Sequence, residues 1–283
     1  MKLLRYGPSG SERPGLLDDE GRIRDLGHVV DDIAGEHLTA AGLEALRALD
    51  IASLPLVDGN VRLGPAVGRI GKFICVGLNY ADHAAESGMA VPDQPVLFMK
   101  ATSAVIGPDD TVVIPRDSYK TDWEVELGVV IGDRAHDVPV ETALKHVAGY
   151  AVINDLSERE FQLEHGGQWV KGKSCDTFGP IGPWLVTPDE IPDPQNLALW
   201  LEVNGHRYQN GNTRTMVFTV AKLVSYISRY MTLMPGDVIS TGTPPGVGLG
   251  QKPPVYLKPG DVMELGIEGL GQQRQPVVAY EKH

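Results

Sequence analysis

Apolar positions along the 283-residue chain fall into two regimes. Over residues 1–68, short strand-like stretches flank one run at helical spacing, Leu38, Leu43, Leu46, Leu49 and Ile51, which predicts a helix within 38–52. Gly59, Gly64 and Gly68 punctuate the stretch that follows. The pattern gives a small N-terminal α+β domain over 1–68 and a larger domain over 69–283. From about residue 70, β-rich apolar segments recur at 73–78, 111–114, 123–131, 147–153, 181–186, 199–203, 237–240, 262–267 and 276–280, separated by Pro, Gly, Asp and Asn. Helical spacing is confined to a short run after Asn79, to 140–146 and to 216–230. These are too few crossovers for a doubly wound sheet, so the expected class is β-rich α+β.

The segment Asp122-Trp123-Glu124-Val125-Glu126-Leu127-Gly128-Val129-Val130-Ile131 joins two carboxylates to an apolar run. Read as a strand, it sets Glu124 and Glu126 on one face and Trp123, Val125 and Leu127 on the other. Two adjacent carboxylates near a core repel each other and lose hydration. A hard divalent cation relieves both, and Mg²⁺ and Mn²⁺ favour oxygen ligands. A third acid, Asp155, follows the apolar run 147–154. The alternative keeps both glutamates on a solvated sheet face and makes Asp155 the cap of a helix starting at Leu156. No His or Cys cluster offers a zinc site.

Candidate partners surround these acids in sequence. His83 and Glu86 are three residues apart on the run after Asn79, where a carboxylate can orient an imidazole acting as base. The 87–96 stretch beyond them has the composition of a lid. Lys100 ends a short apolar run, Arg159 lies what would be one helical turn past Asp155, and Lys171 and Lys173 flank Gly172. Each can neutralise a substrate carboxylate or a developing enolate, against the default of a solvated surface charge. The loop 240–248 is rich in Gly and Pro and resembles an anion nest, with Thr243 offering a hydroxyl.

Composition narrows the partners. Hydrophobic residues make up 42%, charged residues 22%, and the formal net charge is -12, the balance of a soluble globular chain. The longest apolar stretches, 125–131 and 147–153, are far short of a membrane span, and the first seven residues read as a strand, so a cytoplasmic protein without a membrane partner is expected. Without a basic stripe, nucleic acid is not an expected partner, whereas a local cationic cluster can hold a small anion. Two cysteines, Cys75 and Cys175, exclude a disulfide-built scaffold. Neither a G-x-S-x-G elbow nor a dinucleotide fingerprint is present.

Several of these motifs, in this order, resemble the fumarylacetoacetate hydrolase family: Val76-Gly77-Leu78-Asn79-Tyr80-Ala81-Asp82-His83, Phe98-Met99-Lys100, Asp122 to Gly128, Asn154-Asp155 with Arg159, and Lys171-Gly172-Lys173-Ser174. The resemblance resumes at Gly205, Asn212-Thr213 and 235–248, and covers roughly residues 70–280. It implies a mixed β-sandwich-like roll, usually in a homodimer and in some cases a higher homo-oligomer. It also implies one Mg²⁺ or Mn²⁺ on Glu124, Glu126 and Asp155, and a water-activating dyad of His83 and Glu86. By the same resemblance Lys173, Lys100 and Arg159 position a 2-oxo acid or stabilise its enolate, and Thr243 touches its carboxylate. The whole chain looks most like the branch of 2,4-didehydro-3-deoxy-L-rhamnonate (or fuconate) hydrolases, which cut an acylpyruvate to pyruvate and a hydroxy acid such as lactate. The expected activity is therefore metal-dependent C3–C4 hydrolysis of an acylpyruvate. Fumarylpyruvate hydrolysis, decarboxylation of an oxaloacetate-type acid, isomerisation and ligand binding without turnover are the alternatives.

Overall fold

The computed structural model describes residues 1–86 and 90–281, with residues 83–85 described by their backbone only. A ten-stranded mixed sheet carries the molecule. Its centre is the antiparallel pair Val125–Ile131 and Val147–Asn154. On one side follow Val238–Ser240, Phe73–Gly77 and the edge strand Val96–Lys100. On the other, Gly179–Val186 passes the sheet on to Lys2–Tyr6, Arg13–Leu17 and Ile23–Asp25. The first three strands of the chain thus extend the same sheet, joining it where Lys2 and Leu3 pair with Val186 and Leu185. A second sheet of five strands is ordered His206–Asn212, Ala198–Val203, Val262–Ile267, Gly271–Val278 and Val112–Val113.

Both faces of the large sheet are covered, which explains why its central strands read as continuous apolar runs. Val125, Leu127, Val129 and Val152 pack with Leu199, Leu201 and Leu265 of the second sheet and with Leu223 and Ile227 of the helix Val220–Ser228. Leu3, Leu16, Phe73, Val130 and Ile153 pack on the opposite face with Leu43 and Leu46 of the helix Ala40–Arg47. Each such side chain, fully buried, stabilises the fold by about 1.5–3 kcal/mol before chain entropy is counted. Glu126 shares the second face by strand alternation, so a carboxylate is carried into an otherwise apolar layer.

The central pair is regular at the acidic end and irregular at the other. Register runs without a break from Gly149↔Val130 to Asn154↔Val125, and the shift falls between Val147 and Gly149. Each of the four helical runs in the hydrophobic pattern forms a helix, and the helices are short. The 140–146 run is one α-turn, Val140–Ala143, continued as a 3-10 turn, and the run after Asn79 is Ala81–Glu86. Two short helices escape the pattern, Arg159–Leu163 and Val170–Lys173, and both serve the site.

Candidate metal centre and active site

Three acids meet at the ordered end of the central pair. Oxygens of Glu124, Glu126 and Asp155 lie within 4.8 Å of one another, and all three residues are buried. Glu124 stands just before the Val125–Ile131 strand instead of within it. Asp155 follows the partner strand, its N–H donating to the Glu124 carbonyl at 2.9 Å, which ties the two acids by backbone as well as by position. Asp155 caps no helix; that role at Arg159–Leu163 belongs to Glu158. Residues 157–158 form a short strand, so Asp155 and Arg159 do not share the helical turn that their spacing suggests, and Arg159 reaches the acids from a separate helix.

The cations are laid out between the acids in alternation. Arg159 donates from Nε to Asp122 at 2.8 Å and from Nη1 to Gln162 at 3.0 Å. Its Nη2 stands 2.7 Å from both Asp122 and Glu124, close enough for ion pairing but without an aligned hydrogen bond. Lys173 Nζ bridges Glu124 and Asp155 at 2.8 Å each and lies 5.0 Å from the centre of the Phe98 ring. Lys100 donates to the other oxygen of Asp155 and, at 2.9 Å, to the carbonyl of Leu156. Burial alone lowers the basicity of Lys173, but Asp155 and Glu124 outweigh it and hold the ammonium above its usual range.

Glu126 is the exception. Among the described residues no lysine or arginine donates to it; it accepts from the Ser240 hydroxyl at 2.5 Å and the Gly242 N–H at 2.9 Å. Burial, then Asp155 and Glu124, push its carboxyl well above the ordinary range. A divalent cation among the three acids removes that penalty, and an all-oxygen donor set suits Mg²⁺ or Mn²⁺. The residues present therefore fit such an ion.

A cavity of about 150 Å³ opens over Glu124 and Glu126. Lys173, Arg159, Gln162 and Thr243 supply its other polar lining, and Phe98, Leu163, Trp169, Val247 and Leu249 much of its apolar wall. Trp169 stands edge-on to Phe98 with ring centres 5.2 Å apart, and rests on Gly77, where a Cβ would sit 2.6 Å from the indole. The loop after Val238–Ser240 uses its backbone donors on the protein's own carboxylates: Gly242 on Glu126, Gly246 on Glu86, and Gly248 and Leu249 on Asp122. It is a nest, but three of its anions are internal ones.

Most of the expected residues therefore converge. Glu124, Glu126, Arg159, Lys173 and Thr243 line the cavity, and Asp155 completes the acid cluster. Lys100, expected beside substrate, is instead hidden behind Asp155, 2% exposed and outside the cavity lining. Glu86 is anchored through Gly246 at 3.1 Å. The backbone of His83 belongs to Ala81–Glu86, while its side chain, like residues 87–89 of the expected lid, lies outside the described residues. Gln162, Trp169 and Phe98 join them; Phe98 stands in the Phe98-Met99-Lys100 motif, but none of the three carries a site role in the sequence alone.

Comparison with known proteins agrees with this architecture. Residues 72–278 match the model of the fumarylacetoacetate (FAA) hydrolase C-terminal family. A Burkholderia multivorans protein carrying the provisional name of hydrolase is 68% identical over 276 residues, 97% of this chain and 98% of its own length. The fumarylacetoacetate hydrolase of psychrophilic Exiguobacterium antarcticum superposes with a TM-score of 0.88 at 40% identity, covering 99% of this chain and all of that one. The 2-hydroxyhepta-2,4-diene-1,7-dioate isomerase of Mycobacterium marinum superposes with a TM-score of 0.75 at 32% identity, each chain covered in full. Maleylpyruvate hydrolase from Sphingobium sp. SYK-6, solved with a manganese (II) ion and pyruvate, gives 0.83 at 29%, covering 99% of this chain and 100% of that one. With its mixed sheets, its buried acidic triad and a family match over most of its length, the chain belongs to the fumarylacetoacetate hydrolase family.

Proposed function

We propose that the protein is a Mg²⁺- or Mn²⁺-dependent hydrolase that cuts the C3–C4 bond of a monoanionic acylpyruvate, with 2,4-didehydro-3-deoxy-L-rhamnonate or -fuconate as the preferred candidates. The observation that carries the reading is the convergence of three buried carboxylates on a small cavity whose cations are already paired with acids. Glu124, Glu126 and Asp155 would hold the ion, which when bound supplies Lewis-acid polarisation of the 2-oxo acid.

The chain's own groups do the rest. His83, oriented by Glu86, takes a proton from water as the water oxygen attacks C4. The C3–C4 bond breaks with its electron pair left on the pyruvate fragment as an enolate, and C3 then gains a proton. The products are pyruvate and the acid derived from the acyl group. Lys173, which lines the cavity, offsets enolate charge. Thr243 lines the cavity, and its N–H, which donates to nothing else among the described residues, would receive the substrate carboxylate.

The choice of a monoanion rests on the wall. Arg159 and Lys173 are the only basic side chains lining the cavity among the described residues, and both are bound to acids. The remainder of the wall is mostly apolar and leaves a second carboxylate unpaired, at a high desolvation cost. A lactoyl group, short and uncharged, meets no such penalty.

The test is a metal-dependent assay on the sugar acid, acetylpyruvate, fumarylpyruvate and oxaloacetate, with products identified by mass. Pyruvate plus lactate from the sugar acid, lost on adding a chelator, is the expected result. CO₂ from oxaloacetate alone would replace the reading with a decarboxylase, and rearrangement without a new acid would replace it with an isomerase.

A further inference from the structure

Gln209 lies on His206–Asn212, the edge strand of the second sheet, and is fully buried. Its Oε1 accepts from the Val125 N–H at 2.9 Å, and Val125 is the residue between the two glutamates. Its Nε2 donates to Thr243 Oγ1 at 2.7 Å and to the Pro244 carbonyl at 2.8 Å. Thr243 Oγ1 in turn donates to the Val125 carbonyl at 2.9 Å. The amide can be oriented only one way, because Val125 requires an acceptor and Pro244 a donor. With an N–H of Gln209 pointing at it, the Thr243 hydroxyl must give its own proton to Val125. The ring thus fixes the direction of every hydrogen bond in it, and leaves the backbone N–H as the one Thr243 donor that meets no acceptor among the described residues.

Packing holds this arrangement in place. A Cβ on Gly246 would fall 2.0 Å from the Tyr208 carbonyl oxygen, and one on Gly211 would fall 2.5 Å from Pro244, so the loop lies flat against the Gln209 strand. Trp123 donates to the Gly246 carbonyl at 3.1 Å and packs at a tilt on Tyr208, ring centres 4.7 Å apart.

We infer that Gln209 is a positioning residue that couples the second sheet to the site, keeping the carboxylate-receiving Thr243 N–H in register with the acid pair. This rests on the function proposed above. Gln209 touches neither the cavity nor the acids' side chains; it acts through Thr243 and Val125.

The experiment is calorimetric titration of pyruvate into the Mn²⁺-saturated protein, for wild type, Gln209→Met, Thr243→Val and the double variant, with Mn²⁺ affinity measured separately. Gln209→Met should weaken pyruvate by about tenfold, the effect of losing one well-made hydrogen bond, and change Mn²⁺ affinity by less than about threefold. The same variant should raise KM by a similar factor with kcat nearly unchanged, and the double variant should be no worse than the poorer single one. Gln209→Glu, of the same shape but with no donor for Pro244, should lose pyruvate affinity too and serves if the Met variant does not fold. Unchanged pyruvate affinity with a lowered melting temperature, or losses that add in the double variant, would make Gln209 merely structural. Failure of the wild-type protein to bind pyruvate at all would instead overturn the functional reading, and this role with it.

Discussion

Two chains of alternating charge run through this molecule. One ties the first strands to the body: Asp31, Arg69, Asp32, Arg5, Glu12, Arg62 and Asp110, linked by contacts from 2.5 to 3.7 Å. The other is the site: Asp122, Arg159, Glu124, Lys173, Asp155 and Lys100, with Glu126 beside it. Each has three bases and four acids. In the first, the surplus falls on Asp31 at the end of the chain, where the side chain is 66% exposed and water solvates it. In the second, the surplus is Glu126, which is 2% exposed and has no base of its own among the described residues. Equal counts of charge therefore have different consequences. Where water reaches the excess acid the network is an adhesive, and where it does not the network is a site awaiting a cation.

The sharpest way to break this contrast is to neutralise the surplus acid. Glu126→Gln should lower turnover by about 10³-fold or more together with Mn²⁺ affinity, since a ligand is lost. A wild-type Mn²⁺ affinity in that variant would remove Glu126 from the metal centre. His83→Ala belongs to neither network, and should cost about 10²–10⁴-fold in hydrolysis while metal affinity stays at the wild-type level. Near-normal turnover of an acylpyruvate would dismiss it as the base. Lys100→Met strips one of the two bases from buried Asp155 and should destabilise the metal-free protein by about 3 kcal/mol in urea unfolding. Added chelator also reveals the converse: metal-free Glu126→Gln should be more stable than metal-free wild type by about 1–3 kcal/mol, because a buried, unmatched carboxylate has gone. A lower melting point would show that the carboxylate is not a burden. Arg5→Met, in the other network, should cost only about 1 kcal/mol, and 1 M NaCl should shrink the difference. If it matched Lys100→Met, solvent access would not be what separates the two.

The sequence displays the acids and their surroundings more clearly than the groups that support them. Glu124, Glu126 and Asp155 are legible because carboxylates beside uninterrupted apolar runs violate the pattern of a buried strand. The central strands are legible for the same reason, being covered on both faces. Lys100 is visible as a lysine turned inward, yet what it meets, Asp155 and Leu156, is decided by the pairing of Phe73–Gly77 with Val96–Lys100 and by the strand end opposite. Gln209 gives no signal, because His-Arg-Tyr-Gln-Asn-Gly-Asn is an edge strand with mostly polar side chains and reads as a loop. Gln162 sits on a helix of five residues and Trp169 precedes one of four, both too short to leave a periodicity.

The irregular register at the far end of the central pair bears on how such a chain tolerates change in length. Between Val147 and Gly149 the ladder already accommodates a mismatch, whereas from Gly149 to Asn154 every residue has its partner. A residue gained or lost in the 132–146 connection can be taken up at that bulge without disturbing the acidic end. A residue inserted between Asn154 and Asp155 has no slack to consume, and would turn Asp155 away from Glu124. Length variation among descendants of this gene should therefore collect at one end of the pair, leaving the other as a ruler that evolution can redecorate but not stretch.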